Sequence, residues 1–299
     1  MGLTFASLVT YFQVQLPQPC DEESQYYCIR VVDESGVYGT TRTLVLDHMV
    51  YSMNHQSDAQ LLITPYVHAM DELLERQFII NQVAQPVLFF AGGGAYTQPR
   101  TMAARYPDAH IEVAEIDPEV TRIANQRLFV DTSAMVVHDA DARVVLHQLP
   151  DNRFDALVTD VFHDVAIPWH LTTVEYLDQI KRVLKQDGVY LLNVVDQFPD
   201  ARLVKAMIKT LSTRFAHVQV WMEEITEHQT RLTYVLSANN NGRFPAAFAA
   251  QQGLRRQWFD VADAVASVGT PMQDIPLLTD NHAPVEQLVA DLFHSSLGL

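Results

Sequence analysis

The chain has 299 residues, of which 48% are hydrophobic and 19% charged, a composition that excludes an intrinsically disordered protein. A formal net charge of -16 excludes a sequence-nonspecific nucleic-acid binder, which needs clustered Lys and Arg, and fits cationic small-molecule partners. Cys20 and Cys28 are the only cysteines; they are too few for a disulfide scaffold and lack zinc-site spacing, so they read as free thiols in a reducing cytoplasm, with no metal expected.

The opening "MGLTFASLVTYFQVQ" lacks a basic n-region and a small-residue cleavage site, so it is neither a signal peptide nor a full membrane span. It reads as an amphipathic strand or as the remnant of a preceding membrane segment. Next, "YYCIRVVDESGVYGTTRTLVLDHMVYS" holds two β-rich runs, 26–33 and 40–47, joined by a turn on Glu34, Ser35 and Gly36. Helical periodicity follows over 60–84, with Pro86 as punctuation. From Pro86 the strands "VLFFA", "HIEVAEI", "AMVV", "DALVTD" and "GVYLLNVV" alternate with amphipathic helices at 98–106, 118–128, 142–148, 173–184 and 200–213. Short, nearly continuous apolar strands of this kind are buried on both faces, which predicts an α/β fold with a doubly wound, mostly parallel sheet. "HVQVWM" and "RLTYVLSA" leave no room for a helix between them and are expected to pair antiparallel at one edge. The chain thus divides into a β-rich unit over 1–58 and an α/β domain over 59–299.

In open α/β sheets, ligands bind beyond the carboxyl ends of the strands, near the point where strand order reverses. Those positions hold Gly92, Gly93 and Gly94 after the first strand and Glu115 and Asp117 after the second. Asp139 and Asp141 follow the third, and the run from Asp160 to Asp164 follows the fourth. The glycines let the backbone approach a ligand, and the next helix start offers free N–H groups. Glu115 lies 21 residues beyond Gly94, the spacing at which an acid reaches a ribose diol. An NAD site would place a third glycine where Thr97 stands, and an acid after the third strand would repel a pyrophosphate but suits an adenine amino group. Both points favour a sulfonium nucleoside of the S-adenosylmethionine type. One of Asp139 and Asp141 is expected to cap the helix "ARVVL" while the other binds ligand.

"GGGAYTQPR", "VAEIDPEV", "DALVTDVFHDVAIPWHLTT" and "LLTDNHAPVEQLV" together resemble the spermidine synthase (polyamine aminopropyltransferase) family over about residues 24–290. The likeness is to its bacterial branch, in which such a domain often follows a transporter-like membrane region. The resemblance implies a Rossmann-like sheet of the class I methyltransferase type after a small antiparallel β unit, and a homodimer. It also implies transfer of an aminopropyl group from decarboxylated S-adenosylmethionine to an amine, leaving methylthioadenosine. Carried onto this chain, Glu115 binds the ribose, Asp141 the adenine, and Asp160 with Asp164 holds and deprotonates the amine. His163 is the alternative base, since its ordinary pKa suits the task. Tyr66 and His68 fall on the family's substrate-lining helix.

Departures sit at the amine end. An aspartate that grips an amine usually follows the glycines; here Ala95 does, then Tyr96 and Thr97 in place of two further glycines. Tyr27 and Tyr51 stand where a substrate-facing glutamine is usual. Two other readings stay open: a methyltransferase using intact S-adenosylmethionine, and a non-catalytic nucleoside- or polyamine-binding domain of a membrane-linked protein.

Overall fold

The computed structural model describes residues 20–292 except 48, 163–165 and 224–230. The opening apolar stretch, His163 and Asp164 therefore lie outside the described residues. The described chain begins with an antiparallel sheet in the order β1 (Glu22–Glu23), β2 (Cys28–Gly36), β3 (Gly39–Leu46) and β4 (Met49–His55). The β2–β3 ladder runs on to Gly36 opposite Gly39, so the turn lies at Val37 and Tyr38 and not at Glu34–Gly36. Glu34 and Ser35 are exposed, and an exposed hairpin arm accepts polar residues without a burial cost. Strand β4 was not foreseen; the second expected run, 40–47, ends just before β4 begins at Met49.

The free-thiol expectation is corrected. Antiparallel pairing places Glu23 opposite Cys28, and the backbone folds Cys20 back until its Cα lies 5.2 Å from that of Cys28. That distance is within the range a disulfide spans, and the two cysteines are bonded.

The larger sheet has nine strands in the order β12-β13-β10-β11-β9-β8-β5-β6-β7. Its parallel part comprises β5 (Val87–Ala91), β6 (His110–Glu115), β7 (Val136–Asp139), β8 (Phe154–Thr159) and β9 (Leu184–Gln197). Strand β5 illustrates why these segments are apolar throughout. Leu88 and Phe90 enter one buried cluster, while Phe89 and Ala91 enter the other, on the opposite face. Each large side chain so buried is worth about 1.5–3 kcal/mol. Strands β10 (His217–Met222) and β11 (Arg231–Asn239) pair antiparallel as expected. They do not form the edge, because β13 (Gln257–Asp260) and β12 (Ala247–Ala249) extend the sheet past them. Those two strands are only four and three residues long, too short for a legible alternation.

Four of the helices start at a proline or a side-chain cap. The helices are α1 (Pro65–Asn81), α2 (Thr97–Arg105), α3 (Pro118–Arg127), α4 (Ala142–Gln148), α5 (Val174–Val183) and α6 (Arg202–Leu211), followed by the short α7 (Ala262–Ser267) and α8 (Val285–Leu288). Pro65 and Pro118 open α1 and α3 with a preset φ and no wasted donor. Asp117, Asp141 and Thr173 cap α3, α4 and α5 through their side chains. Residues Ala69, Met70, Leu73 and Leu74 of α1 share a buried cluster with Ile29, Val31, Leu44 and Leu46, which fastens the small sheet to the α/β core. From β5 the chain steps to β6 on one side and later returns to β8 on the other, so strand order reverses between β5 and β8. That is where a doubly wound sheet opens a crevice.

Candidate active site

Beyond the carboxyl ends of β5, β6, β7 and β8 lies a cavity of about 500 Å³, a volume typical of small-ligand sites. Gly92, Gly94, Glu115, Asp141 and Asp160 all line it, so one space gathers acids and glycines from four strand ends. Gly92 is required there: its φ is +92°, and a Cβ would collide with the backbone carbonyl of Asp160 on the neighbouring strand end.

Glu115 ends β6 with its carboxylate buried beneath the glycine loop. Its Oε2 accepts from the amides of Gly93 at 2.8 Å and Gly94 at 3.3 Å, and its Oε1 from that of Asp117 at 3.0 Å. The loop amides thus hold the acid rather than a ligand. Three of roughly four acceptor positions are used, leaving one toward the cavity. Burial pushes the Glu115 carboxyl above its ordinary value, against the lowering pull of the amides of Asp117, Gly93 and Gly94.

Asp141 both caps α4 and lines the cavity, whereas the sequence divided capping and ligand binding between two aspartates. Its Oδ1 accepts from the amides of Arg143 and Val144, capping α4, and its Oδ2 lies 2.8 Å from Nε2 of His170. Burial would raise its pKa, but the His170 contact and those amides outweigh it and hold the carboxyl low. Asp139 is exposed and does not line the cavity.

Asp160 follows β8. Its Oδ1 accepts from Asn193 of β9 at 3.0 Å and its Oδ2 from the Tyr66 hydroxyl of α1 at 3.1 Å. Burial nevertheless raises its pKa, the Asn193 and Tyr66 bonds only partly opposing it. A carboxylate shifted toward neutrality is a better proton acceptor at ordinary pH.

Other expected site residues are placed elsewhere. His68 is two positions from Tyr66, so on a helix it faces almost the opposite way. It packs edge-on against Trp258, with Nε2 3.1 Å from the Gln252 carbonyl, away from the cavity. Asp117 caps α3 and accepts from Ser24 Oγ at 2.5 Å, outside the lining. Tyr96 is fully buried, its ring over Gly93 and its hydroxyl 2.7 Å from Thr121. Ala95 is 2% exposed and Gly93 lies beside it; both border only a minor void behind the glycine loop.

Sequence reasoning assigned no role to several lining residues. His170 and Trp169 stood within a quoted motif, yet nothing in a 29-residue separation links His170 to Asp141. Asn193, which bonds Asp160, sits mid-strand as one polar residue in an apolar run and was the one legible signal missed. Glu286, from the C-terminal motif, also borders the cavity. That motif is tied down by Asp280, which accepts from both terminal nitrogens of Arg143 on α4 and from the Thr173 hydroxyl that caps α5.

The chain is 33% identical over 219 residues to the polyamine aminopropyltransferase of Vibrio vulnificus, covering 71% of this chain and 66% of that protein. It is 22% identical over 214 residues to a probable polyamine aminopropyl transferase of Bifidobacterium longum, covering 66% of this chain and 47% of that one. The chain thus spans just under two thirds and about half the length of these relatives. A crystal structure of a probable spermidine synthase from Corynebacterium glutamicum shares the fold, with a TM-score of 0.72 at 21% identity over 90% of this chain and 99% of that one. Residues 84–245, more than half of the chain, match the spermine/spermidine synthase domain, and the chain belongs to that family.

Proposed function

We propose that this protein transfers an aminopropyl group from decarboxylated S-adenosylmethionine to an amine. The observation that carries the reading is the placement of Asp160 on the same cavity as Glu115 and Asp141. Glu115 accepts from a ribose hydroxyl and Asp141 from the adenine amino group, which fixes the sulfonium near Asp160. The acceptor nitrogen attacks the propyl carbon bonded to sulfur, the C–S bond breaks, and its electron pair neutralises the sulfonium to a thioether, leaving methylthioadenosine. The proton lost by the nitrogen passes to Asp160. Holding the two reactants in line supplies most of the acceleration, since the sulfonium is itself a good leaving group.

Charge supports the decarboxylated donor over the intact one. Among the described residues lining the cavity there are four carboxylates, Glu115, Asp141, Asp160 and Glu286, and no Lys or Arg. Among those residues the carboxylate of S-adenosylmethionine would meet no Lys or Arg, whereas an aminopropyl ammonium meets acids. The experiment is calorimetry with decarboxylated S-adenosylmethionine, S-adenosylmethionine and methylthioadenosine, with mass-spectrometric detection of transfer to a panel of amines. Preference for the decarboxylated donor and an amine heavier by one aminopropyl group are expected. Tighter binding of intact S-adenosylmethionine with methylated product would establish the methyltransferase instead, and nucleoside binding with no turnover of any amine a binding domain.

A further inference from the structure

Behind the glycine loop the site has a second compartment of about 20 Å³, room for a single water molecule. Tyr51, Gly92, Gly94 and Asp160 border both this void and the large cavity, so they form the partition between the two. Tyr51 is the one bulky ring among the four. Its hydroxyl donates to the Phe162 carbonyl at 3.4 Å, the same oxygen that accepts from Tyr27 at 3.3 Å. Its Cδ1 lies 3.6 Å from where a Cβ on Gly94 would stand, so the ring rests on the glycine loop. The next residue, Ser52, is 2.6 Å from the Thr97 hydroxyl at the start of α2, which locks β4 against that helix.

We propose that Tyr51 determines acceptor specificity: it shuts the space beyond Asp160, so the site takes a compact monoamine and excludes linear diamines. The proposal rests on the transferase reading above. An acceptor nitrogen can reach Asp160 from the large cavity. A four-carbon diamine that passes Asp160 toward Ala95 needs several times the volume of one water for its methylenes and its second ammonium. Among the described residues bordering the small void, that ammonium would meet no acid besides Asp160, which already receives the reacting nitrogen. A buried ammonium without a counter-charge is strongly disfavoured. Size and charge therefore exclude the same substrates.

The test compares native protein with Tyr51→Ala, Tyr51→Gln and Tyr51→Phe, using propylamine and putrescine as acceptors. Methylthioadenosine binding by calorimetry identifies which variants are folded. In turnover with decarboxylated S-adenosylmethionine, native protein and Tyr51→Phe should favour propylamine at least tenfold in kcat/KM. Tyr51→Ala or Tyr51→Gln should lower the KM for putrescine at least tenfold. Putrescine binding to the methylthioadenosine complex is measured alongside and should tighten by a similar factor in the opened variants. If no amine is consumed by any form yet putrescine binding tightens, the transferase reading fails and the gating role of Tyr51 stands. Native protein that binds putrescine as tightly as the folded opened variants overturns the proposal.

Discussion

At Asp160 two opposing influences meet: burial, which favours the neutral acid, and the bonds from Asn193 and Tyr66, which favour the anion. Tyr66→Phe removes one of those donors, so the carboxyl should hold its proton to higher pH. If Asp160 receives the acceptor's proton, the acid limb of the kcat/KM profile should move upward in pH while methylthioadenosine still binds. An unmoved limb would take Asp160 out of the base role. At position 95, the family's usual aspartate reads from sequence as the missing ammonium grip. The structure predicts a different outcome for restoring it. Ala95 is 2% exposed, within a buried cluster and beside the same void as Asp160. With Tyr51 in place, Ala95→Asp buries a second carboxylate without a cation, a cost of several kcal/mol. Melting should therefore occur roughly 5–10 °C lower, with no gain in putrescine affinity; an unchanged Tm would show that the loop relaxes around the charge.

The disulfide-closed segment from Cys20 to Cys28 is the element whose role was least visible beforehand. Within it, Ser24 bonds Asp117, Tyr26 and Tyr27 line the cavity, and the Tyr27 hydroxyl reaches the Phe162 carbonyl. The cross-link thus restrains one wall of the cavity. Closing so short a loop is worth about 2–3 kcal/mol by chain entropy. Reduction, or paired Cys20→Ser and Cys28→Ser changes, should lower stability by about that amount and weaken methylthioadenosine binding, read by denaturant titration and calorimetry. Equal affinity in oxidised and reduced protein would show that the wall holds without the bond. The starts of α3, α4 and α5, by contrast, were legible, because Pro118, Asp117, Asp141 and Thr173 act locally through fixed φ or side-chain caps, whereas α1 begins at Pro65, inside the stretch that periodicity opened at 60.

For the molecule as a whole, buried carboxyls set an opposing pH balance. Burial raises Asp71, despite Arg105, and Asp196, despite the amides of Val204, Gln197 and Leu203, from the ordinary 3.8 to about 7 in each case. A raised folded-state pKa gives stability that is complete below about pH 4 and lost as pH rises through about 7. Glu112, Asp141, Asp200 and Asp280 are held below their ordinary values despite some burial: by His138, His110 and Arg153 at Glu112, by His170 at Asp141, by Lys205 and Thr270 at Asp200, and by Arg143 at Asp280. Their contribution is present above about pH 4 and fades in acid. Stability, read from urea titrations, should therefore peak at roughly pH 4–5 and fall toward pH 8 by an amount on the order of a few kcal/mol. Asp71→Asn and Asp196→Asn should flatten that fall. Stability that climbs steadily to pH 8 would contradict it.

Period and punctuation were enough to establish the doubly wound α/β sheet, the antiparallel unit before it and the acids after four strands, because apolar alternation, helix caps and βα rhythm act over a few residues. The ordered motifs were enough to reveal the family. Partnership across the chain was decided only by the tertiary structure. Packing of strand ends chose Asp141 over Asp139, turned His68 away from Tyr66, joined His170 to Asp141 across 29 residues and Asn193 to Asp160 across 33. It also brought Cys20 to Cys28 through strand pairing and set Tyr51 beside the glycine loop. Such contacts depend on where separate elements dock, and the linear order of residues carries no local signal for that docking.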